Sequence, residues 1–152
     1  MRFATLVAHD LEDTSYTLPD DLPAGPRIVL MPFRRWHQPI VDGWTRILAP
    51  LRSAYPSLTV WEVPSISRAY RPAQRLIDGG MRAGIAGRDV RLHTLTAYTD
   101  MGALAKDLGI ESFGTVQVFL LDGRGEILWQ GSGRPNRQAV EEIAAAIRDT
   151  AA

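Results

Sequence analysis

The residues best suited to bind a partner or to act on a substrate lie together at positions 33–39, where the chain reads Phe-Arg-Arg-Trp-His-Gln-Pro. Arg34 and Arg35 carry planar guanidinium groups, which stack on aromatic rings and bind carboxylates through paired hydrogen bonds. Trp36 supplies a large amphipathic side chain of the type enriched at binding hot spots. His37 changes its charge near neutral pH and can serve as a general base or a ligand contact. We therefore predict an exposed loop that binds a partner.

Two less specific interpretations of this segment stay open. The loop can be merely solvated, with Phe33 and Trp36 turned into the core, and His37 can be a surface histidine without a ligand. A metal site that joins His37 to His93 needs acidic partners, and the sequence places none beside them. No metal ligand is therefore predicted.

The chain contains no cysteine among its 152 residues. Its own residues therefore cannot form a disulfide, a thiolate nucleophile, a cysteine zinc site or an iron–sulfur cluster. A serine–histidine–acid arrangement is not recognisable either. The candidate residues are scattered and nothing marks one serine as a nucleophile; they are Ser65, Ser67, Asp42 and His93. The sequence thus predicts no catalytic residue, no cofactor, and neither thiol–disulfide oxidoreductase nor peroxidase activity.

A glycine-rich stretch at positions 79–87 includes Arg82, a combination that suggests phosphate binding. The stretch lacks the Gly-Lys-Ser/Thr ending of a P-loop and the strand–turn–helix setting of a dinucleotide fingerprint. A flexible turn is therefore the favoured interpretation, with Arg82 kept as a candidate binding residue.

Charge and composition argue against several classes of partner. The 17 basic and 17 acidic residues give a formal net charge of +0, without the basic excess that binds nucleic acids or membrane surfaces. No apolar run reaches the roughly 20 residues that span a bilayer, and the N-terminus shows no signal peptide. We therefore expect a soluble, cytoplasmic protein that binds no nucleic acid and does not insert into membranes.

The elements that must position these residues follow from hydrophobic periodicity. Apolar runs predict strands at residues 3–8, 27–31, 58–63 and 89–96 and a hairpin at residues 115–121 and 126–130. Helical spacing predicts helices at residues 37–55, 100–109 and 137–149, and a further helix that ends before Gly79. Pro50 lies inside the first of these helices, where it must kink or end it.

The order of these elements predicts the fold class. Strands alternate with helices until an antiparallel pair near the C-terminus. This order is typical of an α/β fold in which helices cover both faces of a mixed central sheet, here with a C-terminal β-hairpin and helix. No linker or repeat divides the chain, so residues 1–152 are predicted to form a single domain.

Several local motifs resemble those of the thioredoxin superfamily, in particular TlpA-type domains and peroxiredoxins. Trp36-His-Gln-Pro-Ile40 matches the Trp-Cys-Gly-Pro-Cys frame, with His37 and Ile40 in the places of the two cysteines. Gly114-Thr115 occupies the place of the proline and threonine of the family's cis-proline loop, and residues 119–127 resemble the family's strand pair. The resemblance implies a thioredoxin-like fold that has lost its redox site.

Among cysteine-free members, the chain is similar to the mitochondrial ATP synthase assembly factors and their bacterial relatives. The similarity lies in the degenerate active-site segment, in Trp61-Glu-Val-Pro64 and in the strand pair at residues 118–131. It implies a redox-inactive, chaperone-like assembly module that binds a protein or peptide on the former active-site face, beside an insertion at about residues 67–95. The residues predicted to line that face are Arg34, Arg35, Trp36, His37, Gln38, Pro39, Tyr70, Arg82, Phe113, Gly114 and Thr115.

Two other functions stay open. A cysteine-independent enzyme or small-molecule binder would use His37 and Arg82 in the same groove, and an enclosed pocket around both would favour it. A scaffold subunit would instead pack exposed Trp44, Trp61 or Trp129 at a homodimer interface.

Overall fold

The computed structural model describes residues 1–74, 76, 77, 79, 81 and 93–151. None of the helices in these ranges combines the length and the apolar composition that crossing a bilayer requires. The helices include α1 (Gln38–Ala54), α2 (Met101–Leu108) and α3 (Arg137–Ala151), and short 3₁₀-helices cover Arg35–His37 and Arg68–Ala73. The strands are β1 (Leu6–His9), β2 (Ser15–Leu18), β3 (Arg27–Met31), β4 (Thr59–Glu62), β5 (Ser65–Ser67), β6 (Ala97–Thr99), β7 (Gln117–Leu121) and β8 (Ile127–Ser132).

The central sheet has, among the described residues, four strands in the order β4-β3-β7-β8. β3 and β4 are parallel, whereas β7 is antiparallel to both β3 and β8. Two smaller ladders pair β1 with antiparallel β2 and β5 with parallel β6. Isolated bridges join Glu62 to Thr94 and His9 to Thr96, so the ladders continue the sheet beyond β4. The predicted mixed sheet is confirmed.

Apolar side chains on the two faces of the sheet form two cores. Because β3 and β7 lie in the middle of the sheet, all of their residues are buried and point alternately to either face. Val29 and Phe119 pack with Leu104 of α2 on one face. Ile28 and Leu120 pack on the other face with the apolar residues of α1 and α3. Helices therefore cover both faces, as predicted.

Helix α1 does not end at Pro50 but continues to Ala54. Pro39 lies in the first turn, where the missing amide hydrogen costs no intrahelical bond. On the buried face, the Trp44 indole N–H donates to the Gly133 carbonyl oxygen at 2.8 Å. Apolar packing before and after Pro50 keeps the chain helical although one amide donor is missing, so the helix does not end there.

The short strands are where the structure differs most from the sequence-based expectation. β2 falls in a stretch with turn-forming residues, and β5 directly follows Pro64, although a proline cannot donate a hydrogen bond to a neighbouring strand. The Ser65 N–H donates to the Pro32 carbonyl oxygen at 3.0 Å, so the chain resumes pairing directly after the proline. Of the strand predicted at residues 89–96, residues 93–96 form only isolated bridges at Thr94 and Thr96, and β6 begins after them at Ala97; residues 82–92 lie outside the described ranges. Strands of three or four residues are set by such distant partners, because their own pattern is too short to identify them.

Candidate functional site

The fold brings the predicted binding residues to one edge of the sheet. Residues 32–39 follow β3, Tyr70 follows β5, and residues 112–115 lead into β7, which is antiparallel to β3. The carboxyl ends of parallel strands share one edge, which is where ligands bind in open α/β sheets. The three segments therefore lie at that edge, whereas Arg82 is outside the described residues.

The loop after β3 exposes its charged residues and one of its two aromatic rings. Arg34 and Arg35 are exposed, and Trp36 is 71% exposed. Phe33 is buried and packs against Phe113, with ring centroids 4.8 Å apart. The alternative in which both rings turn into the core is thus correct for Phe33 and wrong for Trp36.

His37 is a buried residue that holds the preceding turn. Only 1% of it is exposed, and Nδ1 accepts the backbone N–H of Phe33 at 3.0 Å and of Arg34 at 3.2 Å. A ring that accepts at Nδ1 is neutral and carries its proton on Nε2. Burial lowers the pKa of His37, the Gly114 backbone raises it, and the charge of Arg34 lowers it. Both sequence-based expectations for His37, an exposed ligand contact and a surface histidine without a ligand, are wrong, because its side chain is buried.

The loop before β7 packs beside this histidine. The Gly114 N–H donates to Ser112 Oγ at 3.0 Å, and the Gln117 amide donates to the Ser112 carbonyl oxygen at 3.5 Å. Nε2 of His37 is buried and meets no hydrogen-bond acceptor within the described ranges by distance and angle, although the Gly114 backbone lies close enough to the ring to raise its pKa. Thr115 is half-buried, and Gly114 is exposed. The positions that resemble the redox cysteine and the cis-proline loop therefore meet in a structural contact.

The remaining predicted binding residues are exposed and lie at the start of α1 and in the 3₁₀-helix after β5. Gln38 and Pro39 are exposed at the start of α1. Tyr70 is 59% exposed in the 3₁₀-helix after β5, and none of the hydrogen bonds or ring contacts in the described part of the chain joins it to the two loops. The insertion expected at about residues 67–95 is covered only in part by the described ranges.

A buried carboxylate at this edge escapes the sequence analysis. Glu62, the last residue of β4, is 9% exposed. Oε1 accepts the Gln38 amide N–H at 2.9 Å, and Oε2 accepts the Thr94 hydroxyl at 3.2 Å. Burial raises the pKa of Glu62, both hydrogen bonds lower it, and the charge of Asp42 raises it. The one available signal is an acidic residue inside the apolar run of residues 58–63.

A cleft of about 340 Å³ lies beside Glu62. The cleft is not the enclosed pocket that would favour an enzyme using His37, because that residue does not line it. Its walls come from β3, β4, α1 and the segment before β6. Among the described residues, those that line the cleft are Leu30, Gln38, Val41, Asp42, Thr45, Arg52, Val60, Glu62, His93 and Thr94.

The tryptophans proposed for a dimer interface are mostly inside the molecule. Trp44 is 1% exposed and Trp61 is 5% exposed, so the expectation that they form a surface patch is wrong. Trp129 is half-buried, and its indole N–H donates to Glu142 Oε1 at 2.9 Å. Both buried rings fill the cores on either side of the sheet.

Comparison with known proteins identifies the fold. No protein-family model and no curated protein matches the sequence. The structure is similar to yeast Sco1, with a TM-score of 0.64, 14% identity and coverage of 97% of this chain and 95% of that chain. It is also similar to the pneumococcal exposed lipoprotein thioredoxin of Streptococcus pneumoniae, with a TM-score of 0.62, 12% identity and coverage of 93% and 98%. StoA of Bacillus subtilis matches with a TM-score of 0.54, 18% identity and coverage of 94% and 96%.

These similarities confirm the thioredoxin-like fold that the sequence motifs imply. The same edge of the sheet carries a histidine and an isoleucine at the positions that resemble the two cysteines. Because thiol–disulfide exchange requires a thiolate and this chain has no cysteine, its own residues cannot carry out that reaction.

Proposed function

We propose that this chain is a redox-inactive binding module that recognises a protein or peptide through the loop after β3 and the loop before β7. The exposed indole of Trp36 carries the proposal, because 71% exposure leaves most of a large apolar ring without packing partners. Arg34 and Arg35 flank it on the same exposed turn. Tryptophan and arginine are the residue types that most often dominate binding energy at protein interfaces.

His37 supports this function by positioning the turn rather than by touching the partner. Its Nδ1 holds the backbone amides of Phe33 and Arg34, which fixes the segment that leads to Trp36. The contact of Phe33 with Phe113 joins this turn to the second loop. A turn that is already ordered loses less conformational entropy when it binds, so affinity gains from the buried histidine.

The chemistry of the turn favours an acidic, extended partner segment. Neither Arg34 nor Arg35 forms an ion pair within the described ranges. Arg34 donates one hydrogen bond to the Phe33 carbonyl oxygen at 3.3 Å, and the other donors of both guanidinium groups can bind carboxylates. Trp36 offers a face for an apolar or aromatic side chain of the same segment. Gly114 is exposed beside this turn and leaves room for a partner backbone.

An assembly role is the finer form of this proposal. The sequence motifs are similar to those of the mitochondrial ATP synthase assembly factors. One solved structure with a TM-score of 0.60 is a member of the Sco family of cytochrome c oxidase assembly proteins. Both similarities support a module that binds another protein during assembly, and neither identifies its partner.

Site-specific crosslinking tests the proposal. A photoreactive residue at position 35 should capture the partner, and the affinity of that purified partner is then measured for Trp36→Ala and Arg34→Glu. We expect each variant to bind at least about tenfold more weakly, as for a hot-spot residue. Arg46→Glu is the matched control, since Arg46 is exposed on α1 away from the turn. Equal affinities for wild type, Trp36→Ala and Arg34→Glu would contradict the proposal.

A further inference from the structure

The cleft beside Glu62 has an apolar wall. It runs along α1 next to β4, and its volume of about 340 Å³ is at the lower end of the range for small-ligand pockets. Leu30, Val41 and Val60 supply the apolar surface. Such a wall suits a short hydrocarbon stem, because its burial removes apolar surface from water.

Two carboxylates lie at one end of this cleft. The amide nitrogen of Gln38 donates to Glu62 Oε1 at 2.9 Å and to Asp42 Oδ1 at 3.0 Å, so a single group connects them. The Thr94 hydroxyl donates to Glu62 Oε2 at 3.2 Å. An ionised carboxylate has about four acceptor positions, so each of these groups retains unused lone pairs.

No positive charge in the described part of the chain pairs with these carboxylates. Neither Glu62 nor Asp42 is within ion-pair distance of an arginine or lysine there. Arg52 lines the cleft but follows Asp42 on α1 by almost three turns, roughly 15 Å along the helix. His93 also lines the cleft. Burial and the charge of Asp42 both disfavour ionised Glu62, which is the situation that a cation would relieve.

We propose that this end of the cleft binds a cationic group, an ammonium or a guanidinium, carried on an apolar stem. The head group donates to the free lone pairs of Glu62 and Asp42, and the stem lies on the apolar wall. A free alkyl amine or guanidine and a Lys or Arg side chain of a peptide present the same chemistry. The site does not use Trp36 or the two arginines of the turn, so it goes beyond the proposed function and stands independently of it.

The groups at this end favour a cation with hydrogen-bond donors over other ligands. An anion would be repelled by Glu62 and Asp42 together. No group of three His, Cys, Asp or Glu residues in the described ranges is placed to hold a metal ion. A neutral alcohol can donate one hydrogen bond but leaves the buried charge unbalanced. A planar guanidinium, with its forked donors, can bind both carboxylates at once.

Titration with n-butylguanidinium chloride tests the site directly. Binding is followed by calorimetry and by the carboxyl carbon signals of Glu62 and Asp42 in labelled protein. We expect saturable shifts at both signals, whereas 1-butanol and butyrate at equal concentration shift neither. Glu62→Gln and Asp42→Asn should each weaken binding about tenfold. Glu141→Gln, an exposed acid on α3, should bind like wild type.

The outcomes separate the site from the binding loops. Absence of saturable shifts in wild type, or equal binding by wild type and both cleft variants, overturns the cation site. Asp42 is exposed, so Asp42→Asn remains informative even if Glu62→Gln fails to fold. A peptide with one arginine is compared with the same peptide carrying citrulline, which distinguishes a side-chain source from a free molecule. Trp36→Ala should leave the affinity for butylguanidinium unchanged. A failure of the cation site is therefore distinguishable from a failure of the proposed binding loops.

Discussion

His37 occupies the position that resembles the first cysteine of the thioredoxin motif, yet its ring is buried and accepts two backbone amides. Glu62 is the opposite case, an acidic residue in an apolar strand that ends at the wall of a cleft. In both, the surroundings rather than the residue type set the role. Burial favours the neutral form of each group, which makes both of them sensitive to pH.

Replacing His37 with glutamine should change how stability depends on pH. Because burial lowers the pKa of His37 below its usual 6.5, the unfolded state binds more protons than the native state as pH falls. The stabilising contribution of His37 is therefore complete above about pH 6.5 and is lost below it. We expect His37→Gln to be less stable than wild type by about 1–2 kcal/mol at neutral pH, where two hydrogen bonds are lost. The difference should shrink towards pH 5 or so in denaturant unfolding; a gap that stays constant over this range would contradict the assigned role.

Replacing Glu62 with glutamine should have the opposite pH signature. Burial raises the pKa of Glu62 above its usual 4.5, so the native state holds the proton more tightly than the unfolded state. The contribution of Glu62 to the free energy of unfolding of the wild type is therefore complete below about pH 4.5. It is lost as the pH rises through the raised pKa. Glu62→Gln should thus match wild type near about pH 4 and exceed its free energy of unfolding near about pH 8. A variant that is less stable than wild type at the higher pH would show that ionised Glu62 is stabilising.

At the scale of elements, α1 connects the site to the core. Its first turn carries Gln38, which reaches Glu62 and Asp42, and its buried face packs on the sheet through Trp44. Hydrophobic spacing is sufficient to predict this helix, because apolar residues recur at steps of three and four along its 17 residues. The same reasoning cannot predict β5, which has three residues and depends on pairing with β6.

Trp44→Phe tests the attachment of α1 to the sheet. The substitution removes the indole hydrogen bond to the Gly133 carbonyl oxygen and leaves a void beside Trp129. We expect a loss of about 2–3 kcal/mol in the free energy of unfolding, measured by urea denaturation. Trp36→Phe is the matched control and should change stability by less than about 0.5 kcal/mol, because its ring is exposed. Comparable losses of unfolding free energy in Trp44→Phe and Trp36→Phe would contradict the prediction that only the buried tryptophan stabilises the fold.

At the scale of the whole molecule, the fold is predicted better than the site. Strands and helices alternate along most of the chain, and one antiparallel pair follows near the C-terminus. This order leads to the correct α/β class. The exposed turn at Arg34, Arg35 and Trp36 is also predicted, because three such side chains in a row before a helix rarely all pack inside. The cleft is not predicted, since it is formed by residues of β3, β4, α1 and the segment before β6.

The sequence by itself determines that this chain cannot carry out thiol–disulfide exchange, because that chemistry needs a thiolate and no other side chain replaces it. It also determines the main strands and helices, which depend on local periodicity. Only the tertiary structure decides that His37 is buried beside Gly114 and that Glu62 meets Gln38 and Thr94. Those contacts join residues far apart in the chain, and solvent exposure, hydrogen bonding and proton affinity are set by such neighbours rather than by the order of residues.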